Sequence, residues 1–287
     1  MAARLPERPD RAHKGTFGRV LVVAGSTRYP GAALLTGLGA ARMGAGLVCL
    51  AAPESLQRQL IAAVPELIWL PLPEEAPAVS APGAWRRITE EADRYDAVVV
   101  GPGLGDLPST RRRARRLLAE LTQPVVVDAD GLNALAEDPE WWASVRAPAV
   151  LTPHPGEISR LAAVPLAEIP DSDEGRIEVA AEAATAWRQV VVLKGAHSVV
   201  AAPDGRVAVS PVATPALSTA GSGDVLAGAI GALLAGGLEP FAAAACGMAV
   251  HAWAGEICEQ RIGRSGVLAS DVAAALPGAV TSVRAPA

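Results

Sequence analysis

Lysine is nearly missing from this chain. Lys14 and Lys194 are the two lysines among 25 basic residues, so each stands out against arginine. Cysteine is scarce as well: Cys49, Cys246 and Cys258 are odd in number and unclustered. That excludes a secreted disulfide framework and any zinc-ligand spacing, and it points to a reducing, cytoplasmic compartment. Aromatic residues make up 3% of the 287 positions and charged residues 19%, with a formal net charge of −5. A negative chain is a poor match for sequence-independent nucleic-acid binding, so no nucleic-acid partner is expected. The one basic cluster, Arg111–Arg116 (RRRARR), reads as a solvated helix face. The opening MAARLPERPDRAHKG has no apolar segment of the kind a signal peptide needs. The longest apolar stretches, Val225–Leu238 and Phe241–Ile257, are split by Glu239-Pro240. Each is expected to be too short or too polar to span a membrane.

What the chain does have is small and apolar. Hydrophobic residues reach 51%, with many alanines, valines, leucines and glycines. That suits one large core of helices packed closely on a sheet, in a single domain covering 1–287. Branched apolar runs at Arg19–Gly25, Leu47–Ala51, Asp96–Gly101, Pro124–Asp130, Pro148–Leu151 and Val190–Leu193 read as buried strands. Glu66–Leu70 is a further candidate. Helical patterns fall between them, at Gly31–Gly44, Ser55–Ala63, Pro108–Leu121, Leu132–Ala136, from about Ile158, and at Asp173–Arg188. Residues 71–84 (PLPEEAPAVSAPGA) read as a loop. Val199–Ala202 and Arg206–Ser210 flank Pro203-Asp204-Gly205, the chemistry of a hairpin. Strands alternating with helices predict an α/β fold with a mainly parallel sheet.

Polar and glycine-rich clusters fall after the strands: Gly25-Ser26, Gly101–Gly105, Asp128–Asn133, His154–Glu157 and Lys194–Ser198. Open α/β sheets bind ligands beyond the carboxyl ends of their strands, so these clusters predict one shared rim. Asp128 and Asp130 suit a cation or a ribose. Equally, Asp128 could satisfy neighbouring N–H groups and Asp130 could cap the next helix. Glu157 suits an indirect hold on magnesium through water. His154, between prolines, suits contact with an aromatic substrate or a purely local turn role. Lys194 can set a point charge on a phosphate. His197, His251 and Trp253 read as structural.

The chain is organised around Thr214–Gly237, TPALSTAGSGDVLAGAIGALLAGG. A glycine-bearing turn, Ser218–Gly223, leads into Asp224 and an apolar helical run. Glycines allow a tight turn and close approach of backbone N–H groups, and a helix N-terminus favours an anion such as phosphate. A carboxylate beside a phosphate does not bind it. Asp224 is better suited to take a proton from a hydroxyl that attacks the phosphate. The same pattern also forms an ordinary helix cap.

Together, HKGTFGRVLVVAGS, PGAALLTGLGAARMGAGLV, VVVGPGLG, VVVDADGLNAL, LTPHPGEISRL, VVLKGAHSVV and STAGSGDVLAGAI resemble the NAD(P)H-hydrate dehydratases of the ribokinase-like superfamily. The resemblance covers about residues 13–275. It implies a three-layer α/β/α fold. It implies repair of 6-hydroxylated NADH or NADPH at the expense of a nucleotide, which is ADP in bacterial members, with Mg2+. Matched by position, Lys194, Gly195, Ala196, His197, Ser198 and Gly223 fall on nucleotide-binding positions, with Gly221 and Ser222 in the same turn. Gly103, His154 and Asp224 fall on positions contacting the nicotinamide hydrate, and Ala41 (or Ala40) on a further substrate contact. The resemblance also implies a homo-oligomer, a tetramer. Many relatives carry an N-terminal epimerase domain; here the dehydratase pattern begins at once, so an epimerase is expected on a separate protein. Two other readings use the same turn. One is a ribokinase-like kinase of a vitamin-precursor alcohol. The other is a non-catalytic ADP-sensing module.

Overall fold

The computed structural model describes residues 5–73 and 82–284. In chain order the elements are β1 (Arg19–Val23), α1 (Pro30–Met43), β2 (Leu47–Pro53), α2 (Glu54–Leu60), β3 (Ile68–Leu72), α3 (Pro82–Ala92), β4 (Ala97–Val100), α4 (Pro108–Glu120), β5 (Val125–Val127) and α5 (Asp130–Leu135). Then come β6 (Ala149–Leu151), α6 (Pro155–Ala162), α7 (Asp173–Trp187), β7 (Val190–Leu193), β8 (Val199–Ala201), β9 (Val207–Val209), α8 (Ser222–Ala235), α9 (Pro240–Ile262) and α10 (Ala269–Arg284).

The strands form one sheet in the order β3-β2-β1-β4-β5-β6-β7-β8-β9. Pairing is parallel from β3 across to β7, and β8 and β9 add an antiparallel edge. The expected α/β class and parallel sheet are observed, and so is the hairpin, with Gly205 at φ 88° in its turn. The valine runs have a simple cause: both faces of the sheet are covered. Val20, Val22, Val99, Val126 and Val192 point into one core with α1, α8, α9 and α10. Leu21, Val23, Val98, Val127 and Val191 point into the other with α3, α4, α6 and α7. A strand buried on two faces has no polar alternation to show.

Helix α1 and α8 touch through backbone. A Cβ on Gly39 would lie 2.3 Å from the Val225 carbonyl oxygen, and one on Gly228 would lie 2.0 Å from that of Thr36. Small residues at both positions let the helices approach this closely.

Several elements differ from the sequence reading. Pro71 and Leu72 complete β3 rather than starting a loop, and 74–81 lie outside the described residues. Helices α3 and α10 were not anticipated. α3 buries little more than Ala84, Trp85, Ile88 and Ala92, and α10 carries Pro277 within it. Helix α9 corrects the membrane argument. At 23 residues it is long and apolar enough to cross a bilayer, yet 83% of its most apolar window is buried inside the protein. It is a core helix because neighbours cover it, not because it is short.

Candidate active site

The strand order reverses between β1 and β4. From β1 the chain leaves through α1 to β2 on one side, and from β4 through α4 to β5 on the other. At such a switch point the connections diverge and open a crevice. The two loops are tied together, Gly25 N–H donating to the Pro102 carbonyl at 2.8 Å. Gly101, at φ 131°, lies so close to β5 that a Cβ would stand 1.9 Å from the Asp128 carbonyl oxygen. Gly103, at φ 63°, abuts the start of α1, where a Cβ would meet Ala32 at 2.6 Å. The Gly105 N–H is held by Asp130 Oδ2 at 2.8 Å.

Next along the rim lies a buried charge network. Asp128 is 1% exposed. Its Oδ1 accepts from Thr152 Oγ1 and from Lys194 Nζ, both at 2.7 Å. Lys194 Nζ also lies 3.6 Å from Glu157 Oε2. Burial works against the ammonium, but Asp128, Glu157 and Asp224 outweigh it and hold the Lys194 pKa above its ordinary value. Glu157 closes a reciprocal cap on α6. Its Oε2 accepts the His154 N–H at 2.8 Å, while His154 Nδ1 accepts the Gly156 N–H at 3.0 Å. That bond leaves the imidazole proton on Nε2, 3.5 Å from Glu157 Oε1. Burial, then Lys194 and Arg160, lower the His154 pKa, so the ring is neutral near pH 7.

The third part is the turn into α8. Gly221 is the N-cap in the left-handed region, φ 88°, and Asp224 sits in the helix's first turn. A Cβ on Gly223 would lie 3.4 Å from Lys194 Nζ and 3.9 Å from Asp128 Oδ2, so this turn rests directly beside the ion pair. His251 of α9 supports it from within the core. Its Nε2 lies 3.0 Å from the Ser222 carbonyl oxygen and 3.1 Å from Ser222 Oγ. A carbonyl can only accept, so Nε2 carries the proton. Burial lowers the His251 pKa to about 4. A cavity of about 610 Å³ opens in front, lined by Lys194, Gly195, Ala196, Ser198, Thr219, Ser222, Gly223, His251 and Arg264 among others.

Asp224 is the most perturbed acid of the group. Burial raises its pKa to about 7, with Asp128, Asp130 and Glu157 adding to the rise and Lys194 opposing it. A carboxyl group poised near neutrality, at the head of a helix and next to an anion turn, suits general-base work.

The family model for NAD(P)H-hydrate dehydratase (Carb_kinase) matches residues 20–278. The chain belongs to the NAD(P)H-hydrate dehydratase family. It is 41% identical over 275 residues to the bifunctional NAD(P)H-hydrate repair enzyme Nnr of Moorella thermoacetica, which covers 96% of this chain and 51% of that one. The chain thus spans about half the length of the bifunctional curated relatives it matches. It is 38% identical over 266 residues to the ADP-dependent (S)-NAD(P)H-hydrate dehydratase of Xanthomonas campestris, covering 91% of this chain and 87% of that one. The crystal structure of the ADP/ATP-dependent NAD(P)H-hydrate dehydratase from Bacillus subtilis, co-crystallised with ATP/Mg2+, superimposes with a TM-score of 0.84. The identity is 32%, with 98% of this chain and 95% of that one covered.

Within this dehydratase family member, the structure brings most of the expected residues together. Gly103, His154, Lys194, Gly221, Ser222, Gly223 and Asp224 share the rim, and Gly195, Ala196 and Ser198 join Lys194 along the cavity. His197 does not line the cavity; its Nδ1 lies 3.4 Å from the Ser210 carbonyl oxygen. Ala41 stands apart. It lies in the last turn of α1, about 16 Å of helix from the rim where α1 begins. There it packs against the core, as does the fully buried Ala40. Asp130 is inside α5 rather than capping it. Its carboxylate holds Gly105 and, at 3.3 Å, Asn133. Glu157 does not present a free carboxylate to magnesium, since both oxygens face His154 and Oε2 also faces Lys194. Among the described residues no three His, Cys, Asp or Glu side chains converge as a metal-ligand set. Thr152 and Arg264 escaped the sequence reading, and His251 was read as merely structural. A lone histidine in an alanine-rich helix carries no local sign that it will meet Ser222.

Proposed function

We propose that this chain is an ADP-dependent NAD(P)H-hydrate dehydratase, a carbon–oxygen lyase that restores NADH or NADPH from the 6-hydroxylated form. The observation that carries this reading is Asp224, a carboxyl group with a pKa near 7 in the same helical turn as Ser222 and Gly223, which line the large cavity. The names of the relatives supply the substrates.

In this reading ADP lies in the cavity with its β-phosphate against the N–H groups of Ala220–Gly223, which stabilise charge on the transferring phosphoryl group. The hydrate places its hydroxyl by Asp224. Asp224 takes the hydroxyl proton, the oxygen bonds to the β-phosphorus, and the bond to AMP breaks. The lone pair of the ring nitrogen then expels phosphate from carbon. Loss of a proton from the adjacent carbon restores the reduced nicotinamide. ADP and hydrate become AMP, phosphate and NAD(P)H. Gly103 and neutral His154 border the hydrate, and Lys194 keeps Asp128 and Glu157 compensated beneath the reaction. Magnesium enters as part of the Mg–ADP substrate, neutralising phosphate charge. Family resemblance also supports a cytosolic homotetramer acting alongside an epimerase. Sedimentation of the purified chain tests the assembly.

The deciding assay follows absorbance at 340 nm with purified protein, Mg2+, chemically prepared NADH hydrate or NADPH hydrate, and ADP. Recovery of the reduced-nicotinamide band with stoichiometric AMP is expected. Consumption of ADP without recovery, or no consumption by folded protein, would overturn the reading.

A further inference from the structure

We propose that Arg160, together with Arg111, forms an anion subsite that grips a phosphate group of the dinucleotide hydrate. The inference rests on the dehydratase reading and extends it to the part of the substrate remote from the reacting ring.

A second cavity, of about 420 Å³, is lined by Arg111, Asn133, Ala136, Glu137 and Arg160. It shares no lining residue with the cavity assigned to ADP. A short relay joins it to the rim. Asp130 holds the Gly105 N–H through Oδ2, Asn133 Nδ2 reaches Asp130 Oδ1 at 3.3 Å, and Arg160 Nε donates to Asn133 Oδ1 at 3.0 Å. This last bond occupies the inner nitrogen of Arg160. Among the described residues no carboxylate pairs with its two terminal nitrogens. The nearer one lies beside the first turn of α6, 3.7 Å from where a Cβ on Gly156 would stand. Arg160 is within two helical turns of His154, its guanidinium lines this cavity, and Asn133 and Asp130 tie it to the Gly103–Gly105 loop.

The charge balance of this cavity is positive. Arg111 and Arg115 share one carboxylate, Glu137, at 3.1 and 2.9 Å. Arg160 adds a further guanidinium that has no carboxylate in ion-pair contact among the described residues and feels Glu157 only at longer range. Nor does a helix dipole explain Arg111: it lies in the first turn of α4, which has no acidic residue, so it meets the positive end of the helix. A guanidinium fork matches phosphate oxygens in geometry as well as charge. The dinucleotide brings a pyrophosphate, and its NADPH form a 2′-phosphate. In this proposal ADP takes the other cavity, and the phosphates of the hydrate reach this one while its nicotinamide lies by Asp224.

The test is steady-state kinetics on R160Q and R111Q with NADH hydrate and NADPH hydrate. Arg160→Gln removes the fork. Arg111→Gln leaves the Arg160–Asn133 bond intact, so it separates charge from any loosening of the Gly103–Gly105 loop. The expected result is a KM for the hydrate raised about tenfold in each, with kcat and the KM for ADP within about twofold, and a weaker dependence of KM on salt. A rise for both hydrates identifies the pyrophosphate as the ligand; a rise for the NADPH form alone identifies the 2′-phosphate. Unchanged KM in both variants, or a fall in kcat alone, would overturn the subsite. The unaltered protein separates the failures: without its own turnover the dehydratase reading falls and takes this inference with it.

Discussion

Lys194 reaches Asp128, Nζ to Oδ1 at 2.7 Å, right beside the first turn of α8. Lysine at the end of a strand can meet a phosphate, and this one lines the cavity. Its charge is also shared with the carboxylates beneath the site, and it sets their electrostatics. Asp224 feels Lys194 as an attraction that lowers its pKa and Asp128 as a repulsion that raises it.

The first prediction concerns pH. The base form of Asp224 must be present, so kcat/KM should rise with unit slope through about pH 7. Lys194→Met removes the attraction and should move this limb to higher pH, besides destabilising the fold by leaving Asp128 buried without a counter-charge. Asp128→Asn removes the repulsion and should move the limb to lower pH. A profile flat from pH 5 to 9 in the parent chain would exclude Asp224 as the base.

Stability should move against activity at the same residue. The folded pKa of Asp224, about 7, lies above the reference value of 3.8. Between those values the folded state holds more protons than the unfolded one, so this group lowers stability as pH rises through the window. Asp224→Asn removes the penalty. The variant should lose nearly all turnover, match the parent near pH 4, and exceed it at pH 8 by about 2–4 kcal/mol at most. Urea unfolding at the two pH values measures the difference. Equal gains at both would show that ionisation is not the cause.

Two glycines of one helix should separate binding from packing. Gly228→Ala drives a methyl group against the Thr36 carbonyl oxygen at 2.0 Å, and should destabilise the protein by about 1–3 kcal/mol or more. Gly223→Ala meets nothing closer than 3.4 Å, within a helix that favours alanine by about 0.5–1 kcal/mol. Its melting temperature should hold or rise, while the methyl group stands against the nucleotide and raises the KM for ADP. Calorimetry beside ADP kinetics distinguishes the two; a lowered melting temperature with an unchanged KM for ADP would place Gly223 with the packing glycines.

Much of this architecture is legible before any coordinate. Valine runs name the strands because burial on both faces erases polar alternation. Polar clusters name the rim because the parallel connections put every strand end on one side. What escapes is set by contacts between distant segments. Thr152 is one threonine before a proline until β6 lies beside β5 and its hydroxyl meets Asp128. His251 is a histidine among alanines until α9 packs under the α8 turn. Arg111 looks like one of five solvated arginines until α6 carries Arg160 to the same cavity. Ala41 shows the converse: a motif match along the chain does not tell which end of a helix lies at the rim.

The scarcity of lysine gives the molecule an unusual handle for chemical attachment. Lys14 is exposed, and its backbone packs by Gly46, just before β2, at the amino end of the strands and away from the rim. Lys194, protonated and held by Asp128, is a poor nucleophile for acylating reagents. Amine-directed coupling therefore has one favoured side-chain target. A sensor surface or a fluorophore attached there would leave the rim at the carboxyl ends of the strands open, with the protein presented in a single orientation.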